Sequence, residues 1–172
     1  LRGKGFTVSE DGNTYYAAID GKVEYCNYDL RIVNVLDISG DVDLNIGNID
    51  FNGDVNITGN VITGVTIRAM GSIYIGGYVE GAVIKSNKDI VLNKGVNANG
   101  IGQIEAKGNI SARFFENAIV YAEGDVNAGY ILSSKIMALG KVIVQGSRGT
   151  IHGGDVTGVM GIETSNAGNA SY

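Results

Sequence analysis

Proline is absent from all 172 residues, tryptophan is absent too, and cysteine and histidine occur once each, as Cys26 and His152. A single cysteine excludes a disulfide framework within the chain. One thiol and one imidazole cannot assemble a zinc cluster of the usual ligand count. No apolar run approaches the roughly 20 residues that a membrane-spanning helix needs, and the first residues lack the charged-then-apolar order of a signal peptide. These absences predict a cytoplasmic chain with no integral membrane segment and no cofactor. The start at Leu1 rather than methionine reads as a fragment of a longer protein.

The missing proline also has a structural meaning. Proline cannot donate to a hydrogen-bond ladder, so a chain whose backbone amides are nearly all committed to sheet excludes it. Glycine is correspondingly abundant, with 27 residues, about twice the usual ~7%. Together with asparagine it is expected to supply the positive-φ corners of frequent tight turns. Charge is uneven: residues 37–59 hold five aspartates and no lysine or arginine, whereas residues 60–150 carry a net +3. The basic residues are dispersed singly and are not interleaved with aromatics, which argues against a nucleic-acid surface.

A repeat organises the chain. GDV occurs at Gly40, Gly53 and Gly124, and variants of it stand at Gly71 (GSI), Lys88 (KDI), Gly108 (GNI), Gly140 (GKV) and Met160 (MGI). The aliphatic third positions Val55, Ile73, Ile90, Ile110, Val126, Val142 and Ile162 are separated by 18, 17, 20, 16, 16 and 20 residues. After each comes a period-2 piece such as VNI, IYI, IVL or VIV, the mark of a short strand with one buried face. No segment sustains a helical period. A strand-only repeat of about 18 residues fits one coil of a parallel β-helix, stacked at ~4.8 Å so that valine and isoleucine form continuous inner columns. Right-handed winding is the expectation from the general rule for parallel crossovers, because the hexapeptide register of a left-handed helix breaks at Lys85. Residues 1–36 differ: turns at SEDGN and IDGK predict a small antiparallel unit that caps the first coil. The expected division is a cap at 1–36 and a parallel β-helix at 37–172, closed by a C-terminal segment.

The segments SEDGNTYYAAIDGKVEY, DISGDVDLNIGNIDFNGDVNITGNVITG, GSIYIGGYVEGAVI, GQIEAKGNISARFFENAIVYAEGDV and SRGTIHGGDV resemble the flagellar assembly protein A family. That resemblance covers nearly the whole chain. It implies a β-solenoid, flanked in the family by a further N-terminal domain and a coiled-coil tail, with a role in flagellar assembly and no catalytic residue to carry over. The polymer-forming bactofilins are a more distant likeness, in architecture alone.

Candidate sites are few. Asp41, Asp43 and Asn45 occupy the first, third and fifth places of an EF-hand loop, but Ile46 stands where glycine is required and Asn52 where glutamate is. Val42, Leu44 and Ile46 between them read as an inward strand pattern. Phosphate-binding glycine motifs are missing. Asp125, Lys141, Glu105 and Arg113 are candidates for a polysaccharide-cleaving face, with one carboxylate pair for acid and base work. His152 has Asp155 three residues on, Ser147 lies in a turn, and Cys26 sits in the cap. Within ARFFENA, one of Phe114 and Phe115 is expected inside and the other outside as a partner anchor. The leading reading is a non-enzymatic structural and protein-interaction module, monomeric or a small closed oligomer. The rivals are a polysaccharide-binding or polysaccharide-cleaving β-helix and a bactofilin-like polymer.

Overall fold

A computed structural model describes residues 2–19, 21–146 and 149–168. Every element in it is a strand, and the chain divides into two compact units, Leu1–Leu36 and Asp37–Tyr172.

In the first unit, Phe6–Val8 pairs antiparallel with Tyr15–Ala17 across the SEDGN turn, and the Phe6 and Tyr15 rings meet edge to face at 5.2 Å. The second hairpin lies elsewhere than the sequence suggests. Lys22–Cys26 pairs with Asp29–Val33, so the reversal falls at Asn27 and Tyr28, whose φ values of 51° and 64° are the left-handed pair that a two-residue hairpin turn demands. IDGK joins the two hairpins instead of closing one; Asp20 within it lies outside the described residues. Arg2–Lys4 adds a parallel strand beside Asp29–Val33.

The second unit is a three-sided parallel β-solenoid. Its first face stacks Val35–Ile38, Asp54–Ile57, Ile73–Ile75, Ile90–Leu92, Ile110–Ala112, Val126–Ala128, Val142–Val144 and Ile162–Thr164. The second face begins with the bridged residues Val42 and Val61 and continues through Tyr78–Glu80, Gly95–Asn97, Phe115–Glu116 and the opening halves of Tyr130–Ala138 and Thr150–Gly158. The third face stacks Ile49–Phe51, Thr66–Ala69, Val83–Ser86, Gln103–Ala106, Ile119–Ala122 and the closing halves of the same two long strands. Those long strands turn the corner without a break, at Ser133 (φ 46°) and at Gly153 and Gly154 (φ 65° and 87°).

Alternation explains the packing. On the first face Val55, Ile73, Ile90, Ile110, Val126 and Val142 pair rung by rung and are at most 1% exposed. Ile162 continues the same register but is 44% exposed, because its strand is the last of that sheet among the described residues and nothing stacks above it. Val61, Val79, Val96, Phe115 and Ile131 line the second face inside, and Ile67, Ile84, Ile104, Val120 and Ile136 the third; all are buried. The three inner columns together form the core, which is aliphatic apart from Phe115. At coil corners the buried Ser86 and Ser134 hydroxyls each donate to a carbonyl, of Gly71 (2.6 Å) and Leu132 (2.8 Å). Among the described residues no buried side-chain nitrogen or oxygen is left without a partner.

Candidate interaction surface

The repeated aspartates and asparagines are part of the hydrogen-bond ladder. At the corner between the third and first faces, Asp54 Oδ1 accepts the Ser72 N–H at 2.7 Å, Asp89 that of Asn109 at 2.7 Å, Asn109 that of Asp125 at 2.8 Å, and Asp125 that of Lys141 at 2.7 Å. Each side chain thus takes up the amide of the coil above. Asp41 and Asn60 repeat the device at the next corner, accepting the Asn60 and Tyr78 amides. The partner glycine has a spatial reason. A β-carbon on Gly71, Gly108, Gly124 or Gly140 would lie far inside contact distance of the accepting oxygen of the coil below. These four glycines do not have positive φ. At these four corners the requirement is the missing side chain, whereas Gly40, the glycine of the first GDV, has positive φ and open space around it, as other positive-φ corners do at Gly47, Gly64, Asn99 and Asn117.

In the EF-hand-like stretch Asp41 thus serves the ladder, and the stretch is not a continuous strand. Val42 is fully buried, but Leu44 and Ile46 are 72% and 52% exposed. The chain turns at Asp43, whose Oδ1 accepts the Asn45 and Ile46 amides at 2.9 and 3.2 Å while Oδ2 accepts the Asn45 side-chain amide at 2.9 Å. Such local side-chain capture of backbone amides competes with strand formation. The bonds from Ile46 N–H and from Asn45 hold the Asp43 carboxyl below the usual aspartate range. Among the described residues no three histidine, cysteine or acidic side chains gather as metal ligands.

The catalytic candidates are dispersed. Asp125 is engaged by the Lys141 amide, and Lys141 Nζ lies 2.7 Å from Glu163 Oε1 at the corner next to the first face. That carboxylate, first by hydrogen bonding and then by charge, raises the Lys141 pKa. Glu105 sits on the third face, bonded at 2.6 Å to Lys85 in a groove of about 320 Å³ that also takes in Asp50, Arg68 and Tyr121. Arg113 lies beside a different groove, on the first face. His152 is on the second face, in register with Leu132, while Asp155 follows the Gly153–Gly154 corner onto the third face opposite Lys135. Ser147 and the Cys26 side chain lie outside the described residues.

Phe115 is fully buried, and Phe114 lies half-buried on the outside. Its ring stacks on Tyr130 at 5.1 Å and 11° and leans toward Tyr78 at 6.3 Å. Lys94 Nζ stands 4.9 Å from the Tyr78 ring centroid, and Tyr130 donates its hydroxyl to Glu116 Oε1 at 2.8 Å. Gly95 makes the stack possible: a β-carbon there would lie 2.5 Å from the Phe114 ring. Sequence reasoning missed this ladder, since Tyr78, Phe114 and Tyr130 line up only once the coil lengths on the second face are known. The signal present in the chain was a glycine followed one coil later by an aromatic.

No curated protein and no solved structure matches the chain. The family model described as the flagellar assembly protein A beta solenoid domain matches residues 34–172. The repeat, the stacked parallel strands and this match over most of its length agree, and the chain belongs to the flagellar assembly protein A family through its β-solenoid domain.

Proposed function

We propose that the chain is a non-enzymatic scaffold module that presents its outer columns to protein partners during flagellar assembly in the bacterial cytoplasm. The observation carrying this reading is the outward aromatic ladder of exposed Tyr78 and half-buried Phe114 and Tyr130, set on a buried apolar core. Ladder hydrogen bonds on three faces hold these rings in fixed positions, so a partner meets a surface that loses little conformational freedom on binding. Aromatic rings flanked by charge, here Lys94 and Glu116, are the usual composition of a contact centre. Membership in a family named for flagellar assembly supports that process.

The test is genetic. Replacing the segment encoding residues 34–172 with an unrelated solenoid of equal length in the source bacterium is expected to reduce flagellar number. A double variant, Tyr78→Ala with Tyr130→Ala, should reproduce much of that loss while keeping a cooperative urea transition, lowered only by the lost Phe114 stack and Glu116 hydrogen bond. Normal flagellation in both strains would refute the proposal.

A further inference from the structure

The first face carries a groove of about 370 Å³ whose chemistry differs from the rest of the surface. Its floor is the outward column Val91, Ser111, Asn127 and Ile143, each paired with the next across adjacent coils. One side is formed by the residues that follow those strands, Asn93, Arg113, Gly129 and Gln145. Gly129 makes a notch between Arg113 and Gln145, and a β-carbon there would lie 2.7 Å from the Arg113 carbonyl oxygen. Three interstrand steps of ~4.8 Å give a length of about 14 Å from Val91 to Ile143.

Elsewhere this fold uses its asparagines and aspartates to hold backbone amides or one another, as at Asp41, Asn60, Asp89, Asn109 and Asp125. The polar side chains of the groove take no part in that. Asn93, Ser111, Asn127 and Gln145 make no side-chain hydrogen bond, and Arg113 makes no ion pair, with the described residues. Among the described residues, Arg113 is also the only charged one lining the groove, and no carboxylate lines it. By contrast, the third-face groove mixes Asp50, Arg68, Lys85, Glu105, Lys107 and Glu123 and satisfies part of that charge internally.

We propose that this groove binds an acidic oligosaccharide, with a sugar carboxylate on Arg113 and ring hydroxyls on Asn93, Asn127 and Gln145. Amide side chains both donate and accept, as vicinal hydroxyls do, and a guanidinium pairs two-pronged with a carboxylate. Tyr74, 42% exposed and one coil before Val91 in the same outward column, extends the floor with a ring face. A peptide strand fits less well, because the backbone amides of these strands are paired between coils and offer no sheet edge to extend.

Calorimetric titration of the 172-residue chain with trigalacturonate, its methyl ester and an acidic tetrapeptide decides the matter. Saturable binding of trigalacturonate is expected, weakened about tenfold or more by esterification or by Arg113→Ala, in line with the loss of one charge-assisted hydrogen-bond pair. Asn127→Ala should weaken it several-fold, Arg113→Lys should restore part of the affinity, and Lys85→Ala on the third face should leave it unchanged. Urea melts of each variant confirm that the fold is kept. No saturable uronate binding, binding indifferent to Arg113→Ala, or tighter binding of the acidic peptide would each overturn the assignment.

Discussion

Asp125 shows what a single side chain does in this solenoid: its carboxylate replaces a backbone carbonyl and accepts the Lys141 amide at 2.7 Å. Only an oxygen at the δ position is needed, so Asp125→Asn should be nearly silent and Asp125→Ala should cost about 1–2 kcal/mol, the usual scale for a charge-assisted bond partly exposed to water. Gly124→Ala should cost more than Asp125→Ala, since its β-carbon would be driven into Asn109 Oδ1 and the Gly108 backbone; urea denaturation of the three variants ranks them. Asp43 offers a pH test. The Ile46 amide and the Asn45 side chain and amide depress its folded-state pKa below the usual aspartate value. A depressed carboxyl contributes stability that is present above the unfolded pKa and lost as pH falls through the folded one. The urea midpoint of the wild type should therefore exceed that of Asp43→Asn above about pH 4 and converge with it in more acidic solution. The GD repeat was visible in the sequence. Its meaning was not, because the acceptor and the amide it serves are 16 to 20 residues apart and meet only after the coil closes.

Among the elements, the strands that follow each GD corner were legible, since Val126, Asn127 and Ala128 alternate inside and outside within three residues. Strands of the second face were harder to read. Phe115–Glu116 is two residues long, Tyr78–Glu80 carries one inward side chain, and neither is enough to display a period. DVDLNI failed for the opposite reason: it alternates like a strand, but Asp43 captures two amides and makes a turn that leaves Leu44 and Ile46 in water. Exposed aliphatics at a turn cannot be told from buried ones by spacing. The alternation that was legible makes a sharp prediction. Val126→Asp places an unpaired carboxylate in a fully buried column and should cost several kcal/mol, whereas Asn127→Asp on the outside should shift the urea midpoint little. Equal losses in the two variants would mean that the assigned register is wrong.

For the molecule as a whole, the issue is how a stack of parallel coils avoids adding further coils from a neighbour. Uncovered strand edges pair with other chains, and a head-to-tail contact that does not close on itself makes filaments. The cap role proposed for residues 1–36 predicts that the 172-residue chain sediments as a monomer or small closed oligomer, and that a chain beginning at Asp37 associates in a concentration-dependent way. Sedimentation velocity on both tests it: filaments from the intact chain would point to a polymer-forming scaffold, and a monomeric truncation would remove the cap role.

The inner columns keep strict register while the coils between them vary from 16 to 20 residues, and this gives the molecule a mechanical signature. Pulled from its C-terminal end, a stack of this kind should peel one coil at a time, each rupture breaking the ladder to the coil beneath and freeing one coil's length of chain. At ~3.5 Å per residue, that is a contour gain of about 56 Å for the shortest coils and 70 Å for the longest. The order of step lengths in an optical-trap record would then read back the order of the coils, with the short pair ending at Val126 and Val142 framed by a long step on either side.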